Sequence, residues 1–113
     1  MKLIFNFKCL DGEYELVIDE FDYVVNSTIS CFESKTGTII DKDKFIELIN
    51  KANIKAWDKE YKGELIEDSI EWSIDCDGYQ SKGYESYEPY NYNYLIEAIS
   101  LIESNASYFK AGE

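Results

Sequence analysis

Ile70-Glu71-Trp72-Ser73-Ile74-Asp75-Cys76-Asp77-Gly78-Tyr79-Gln80-Ser81-Lys82-Gly83-Tyr84 reads as a β-hairpin. Ile70, Trp72, Ile74 and Cys76 alternate with Glu71, Ser73 and Asp75, the period of a strand with one buried face. Asp77-Gly78 supplies the two-residue turn, because both of its central positions need positive φ. Counting outward pairs Cys76 with Tyr79, Asp75 with Gln80, Ile74 with Ser81, Ser73 with Lys82, and Trp72 with Gly83. The indole would then cover the bare glycine across the ladder, a device that pins register.

Upstream, Leu3, Phe5, Phe7 and Cys9 alternate with Ile4, Asn6 and Lys8, giving a first strand. Asp11-Gly12 is a second hairpin signal. Tyr14, Leu16 and Ile18 alternate with Glu13, Glu15 and Asp19 in a second strand. A third is expected within 23–33, with Ile29 and Cys31 inward, and Thr36-Gly37 reads as a turn. Asp41 offers an N-cap. Phe45, Leu48, Ile49 and Ala52 form one stripe of a helix over 42–52. Ile54, Trp57 and Tyr61 suit a second short helix or turn, with Gly63 at its C-terminal cap.

Downstream, Leu95, Ala98, Ile99 and Ile102 predict a helix over about 92–104, capped by Asn91 or Asn93. Residues 105–113 read as a frayed tail. The fold class is therefore α+β, a single domain over 1–113. An antiparallel sheet of about five strands carries two or three helices on one face, in the order βββα(α)ββα.

Composition narrows the chemistry. The chain has 113 residues, 23 acids and 11 bases, a net charge of −12, and no His. All the bases are Lys. Imidazole triads and His metal sites are excluded. So are Arg forks on phosphate or guanine. Direct nucleic-acid binding is disfavoured, since it rests on cationic neutralisation of phosphate. The apolar run at Leu3–Phe7 is broken by Asn6 and is too short for a signal-peptide core, and no stretch has the apolar length of a membrane span. Cys9, Cys31 and Cys76 are odd in number and widely spaced. They read as strand-borne buried thiols in a reducing cytoplasm. No cofactor is implied.

The acids are not scattered evenly. Residues 11–22 hold Asp11, Glu13, Glu15, Asp19, Glu20 and Asp22 without a Lys. Residues 64–77 hold Glu64, Glu67, Asp68, Glu71, Asp75 and Asp77, again without a Lys. Side chains at i and i+2 of a strand stand ~6.6 Å apart on one face. A carboxylate ladder at that spacing can imitate a nucleic-acid backbone. The plainer alternative is a set of solvated faces that keep edge strands unpaired. Tyrosines cluster too: Tyr79, Tyr84, Tyr87, Tyr90, Tyr92 and Tyr94, with Glu85 and Glu88 among them. Tyrosine gives large contact area at low entropic cost. Some of the six are expected in the core or at element ends. Ser73-x-Asp75-x-Asp77-Gly78 has the middle of a calcium loop, but its twelfth position is Tyr84, not Glu, and the hairpin accounts for it better. Carboxylate-pair catalysis has no specific signature among so many acids. Cys76 without His lacks a base.

Ile54-x-x-Trp57-x-x-x-Tyr61, Trp72-Ser73-Ile74, Asp77-Gly78, Ser81-x-Gly83 and Pro89-x-Asn91 before an amphipathic helix resemble a small domain of low-GC bacteria and their mobile elements. The resemblance covers about 54–102. It rests on turns and aromatics and implies no catalytic residue. Members place Tyr-Pro together, whereas here Glu88 separates Tyr87 from Pro89. In size and acidity the chain is also similar to anti-CRISPR and toxin-immunity proteins. The expected function is a non-enzymatic, cytoplasmic, acidic protein inhibitor of a bacterial nuclease or CRISPR effector. Its expected contact residues are Glu64, Glu67, Asp68, Glu71, Asp75, Asp77, Tyr84, Glu85, Tyr87, Glu88, Tyr90 and Tyr92. The partner would be a protein with a basic surface, with neither nucleic acid nor membrane bound directly. Toxin immunity, a carboxylate-dependent hydrolase and an adaptor module are the alternatives.

Overall fold

The computed structural model describes residues 1–61, 70–84 and 88–110. The architecture is α+β. The strands are β1 (Lys2–Cys9), β2 (Gly12–Asp19), β3 (Asp22–Ser27), β4 (Lys35–Thr38), β5 (Glu60–Tyr61), β6 (Glu71–Cys76) and β7 (Tyr79–Tyr84). The helices are α1 (Lys42–Ala52) and α2 (Tyr92–Ile99), with 3-10 turns at Ile54–Ala56 and Ala106–Phe109. Among the described residues one seven-stranded sheet runs in the order β4-β3-β2-β1-β6-β7-β5. Neighbours are antiparallel except β5 and β7, which are parallel.

The β6–β7 hairpin has the register counted from the sequence, Cys76 opposite Tyr79 through Trp72 opposite Gly83. Asp77 and Gly78 take φ of 51° and 94°, as the type I′ turn requires. A Cβ at Gly83 would fall inside the Trp72 ring, so only glycine admits the indole there.

Five expectations are corrected. The sheet is larger than five strands and is mixed. The third strand stops at Ser27, and Cys31 is exposed in a turn rather than inward on a strand. Thr36-Gly37 is no turn but the middle of edge strand β4, where the Tyr23 ring covers Gly37. Tyr61 belongs to β5, and Gly63 lies outside the described residues. α2 ends at Ile99, and the chain through 110 is no frayed tail. Phe109 is fully buried, its ring 4.7 Å from Tyr14, 4.9 Å from Phe32 and 5.1 Å from Phe7. Residues 111–113 lie outside the described residues.

α1 starts where Asp41 Oδ1 accepts the Lys44 N–H at 3.2 Å, and it ends at Asn53 in the left-handed region. Both helices and the last 3-10 turn cover one side of the sheet. That side presents Leu3, Phe5, Phe7, Tyr14, Leu16, Ile18, Trp72, Ile74 and Cys76 to the core. A polar knot closes its rim: buried Glu103 accepts from Tyr14 Oη at 2.7 Å and from Lys35 Nζ at 2.8 Å. Among the described residues the other side of the sheet carries no helix. No helix among the described residues is long and apolar enough to cross a membrane.

Candidate functional site

Alternation along each strand sends every second residue to the uncovered side, and the ladder registers align those residues into rows across the sheet. One row is Asn26, Glu15, Asn6, Ser73 and Lys82. The next is Glu13, Lys8, Glu71 and Tyr84. On the other flank run Val24, Val17, Ile4, Asp75 and Gln80. The first two rows line a half-open concavity of about 720 Å³ that crosses five strands. Asn6 and Ser73 have short side chains and lie at its centre, with longer side chains around them.

Described members of the two Lys-free acidic runs therefore share one face. Glu13 and Glu15 stand on β2, Glu71 and Asp75 on β6, and β1 lies between. Two strand spacings put these carboxylate lines ~10 Å apart. Their charges are not equally available. Glu13 lies 3.7 Å from Lys8 Nζ, and Lys82 Nζ lies 3.6 Å from Glu60. Asp75 fastens its own turn, accepting from the Gly78 N–H at 2.9 Å and from Gln80 Nε2 at 3.1 Å. Asp77 accepts from the Lys2 N–H at 2.8 Å and faces Lys55 at 3.8 Å. Among the described residues, the side chains of Asn6, Glu15, Ser73 and Glu71 make no hydrogen bond or ion pair.

The expected contact residues divide accordingly. Glu71 and Tyr84 are cross-strand partners on the uncovered side. Asp75 and Asp77 act chiefly in the turn. Glu88 is half-buried beside buried Pro89, and Tyr90 is 95% exposed. Tyr92 is corrected: it is 1% exposed, its ring lies 5.1 Å from Trp72, and its hydroxyl donates to the Phe109 carbonyl. Burial pushes that hydroxyl well above its ordinary pKa. Tyr79 is tied to the Trp57 carbonyl, and Tyr94 packs under Lys51. Glu64, Glu67, Asp68, Glu85 and Tyr87 lie outside the described residues. Sequence reasoning set aside Asn6, Ser73 and Asn26, which carry no charge, and placed Glu15 in a ladder without a partner strand.

Among the described residues no group of three His, Cys, Asp or Glu side chains is close enough to hold a metal ion. Cys9 Sγ lies 3.4 Å from Tyr108 Oη, which donates to Asp11 at 2.8 Å. The hydrogen bond with Cys9, then burial and Asp11, raise the Tyr108 pKa. Cys9 and Tyr108 pack against the core on the covered side, and Asp11 is exposed in the β1–β2 turn. No family model, curated protein or solved structure matches the chain.

Proposed function

We propose that this protein is a non-enzymatic acidic inhibitor that binds the basic nucleic-acid groove of a bacterial nuclease or CRISPR effector. One observation supports the reading: acids from two sequence-distant runs, Glu13 and Glu15 on β2 and Glu71 and Asp75 on β6, come to one sheet face that no described helix covers, in two lines on either side of β1. Their ~10 Å separation lies between the widths of the minor and major grooves of B-DNA, about 6 and 12 Å. A groove built to grip two phosphate lines would meet carboxylates at a related spacing. Half-buried Tyr84, which lines the concavity, supplies apolar area beside the charge, and Tyr90 is an exposed aromatic free to anchor a partner. An exposed thiol at Cys31 suits a reducing cytoplasm.

The test is a cleavage assay with purified nucleases and CRISPR effectors of low-GC bacteria. Inhibition should be stoichiometric, compete with the enzyme's nucleic acid, and weaken steeply as salt rises. Charge reversal at Glu13, Glu15 and Glu71 should slow association, whereas Tyr90→Ala should speed dissociation. An inhibitor insensitive to salt, bound together with the nucleic acid, would refute mimicry. Cleavage of a nucleotide, glycan or peptide by the pure protein, lost on replacing one carboxylate, would make it a hydrolase instead.

A further inference from the structure

The geometry points to the concave sheet face as a receptor for one arginine side chain of a basic partner segment, held over Asn6 and Ser73 between Glu15 and Glu71. The inference deepens the inhibitor reading and rests on it for the partner's identity. Asn6 and Ser73 face each other across β1 and β6, and Glu15 stands directly beside Asn6 on β2. Glu71 stands one row along β6. Two strand spacings and one i, i+2 step put the Glu15 and Glu71 Cα atoms ~12 Å apart. A planar guanidinium laid between them can donate to a carboxylate on each side and to the Asn6 and Ser73 oxygens beneath.

Charge complementarity selects this occupant. Lys8 and Lys82 border the concavity, but each is drawn to its own glutamate, Glu13 and Glu60. The charge left over at the centre is the pair Glu15 and Glu71. At the centre of the floor Asn6 and Ser73 offer short side-chain acceptors. Arginine presents five donors in a fixed plane and is more weakly hydrated than an ammonium, so it gains more here than lysine does. The concavity crosses five strands, about 19 Å at ~4.8 Å per spacing, so an extended segment can lie along it with one side chain inward.

The experiment titrates hexa-arginine, and separately hexa-lysine, into the isotope-labelled full chain at about 50 mM salt, where screening is weak. The NMR shift changes should centre on Asn6, Glu15, Glu71 and Ser73. Hexa-arginine should bind several-fold tighter than hexa-lysine. The Glu15→Gln/Glu71→Gln variant should lose about tenfold in affinity with its backbone spectrum intact. The control Glu47→Gln/Glu97→Gln, which removes the same charge from the helices, should change affinity less than about twofold. Shift changes centred on the Asp19–Asp22 end, equal affinity for the two peptides, or equal losses in the two variants would each overturn the receptor. These readouts need no enzyme. A receptor that passes them while no nuclease is inhibited leaves this inference standing and removes the inhibitor reading. An inhibitor indifferent to Glu15→Gln/Glu71→Gln does the reverse.

Discussion

Trp72 and Gly83 should behave as a single unit. Trp72 is 1% exposed and packs against Trp57 at 6.0 Å, Tyr61 at 5.9 Å and Tyr92 at 5.1 Å. A buried indole removes ~200 Å² from water, worth ~5 kcal/mol at ~25 cal/mol per Å². A realistic unfolded chain lowers this by ~10–40%, so Trp72→Ala should cost ~3–5 kcal/mol. With a urea m-value of ~2 kcal/mol/M, the midpoint falls by ~2 M. Gly83→Ala forces a Cβ into the same ring and should cost ~1–3 kcal/mol by overpacking. Once the ring is gone the added methyl meets no clash. The Trp72→Ala/Gly83→Ala variant should therefore be no less stable than Trp72→Ala alone, giving a coupling of ~1–3 kcal/mol. Equilibrium urea unfolding followed by far-UV circular dichroism measures all four corners. Additive losses would show that the indole does not lie on Gly83. A wild-type midpoint for Trp72→Ala would remove it from the core.

Stability should fall in alkali. Burial, then Glu103, raise the Tyr14 hydroxyl, burial raises Tyr92, and burial, then Asp77, raise the Cys76 thiol. The folded chain holds these protons after the unfolded chain has released them. Their contribution is therefore complete below about pH 9, declines above it, and urea midpoints from neutral to alkaline pH should follow that course, more gently for Tyr14→Phe. Thiol alkylation read by mass spectrometry should label exposed Cys31 first and Cys76 only on unfolding; early modification of Cys76 would contradict its place in the core. Lys35→Met strips buried Glu103 of its cation and should cost ~1.5–3 kcal/mol, whereas Lys44→Met, from an exposed pair, should be close to neutral in the same urea assay.

Strand alternation and Asp-Gly turns are local signals, and they made β1, β2 and the β6–β7 register legible. β4 was not legible because Lys35-Thr36-Gly37-Thr38 has no apolar alternation. It is a strand because β3 offers it an edge and Tyr23 covers its glycine. Phe109 was lost for a similar reason: an aromatic in a short polar tail shows no period, and only the three-dimensional cluster of Phe5, Phe7, Tyr14 and Phe32 reveals its seat. Tyr92 was readable and was misassigned. With Leu95, Ile96 and Ile99 it completes the i, i+3, i+4, i+7 stripe of α2. For the candidate site, the sequence supplied which acids share a face. That Glu13, Glu15 and Glu71 line one concavity depends on the strand order β2-β1-β6, a non-local fact.

The central position of β1 has a consequence for how the protein comes to exist. Leu3 pairs with Cys76 and Phe7 with Trp72, so the ribosome delivers one side of this ladder long before the other. At about 5–20 residues per second, the ~70 intervening residues take roughly 4–15 s. Through that interval the nascent β1 has β2 on one flank and a bare hydrogen-bonding edge on the other, a template for association with other chains. The β6–β7 hairpin, nucleated by its own local turn, is the piece that docks onto that edge. Asn6 meets Ser73 only at that moment. The concave face is thus assembled in one late event, and an incomplete chain displays the acids of β2 without the surface they help to form.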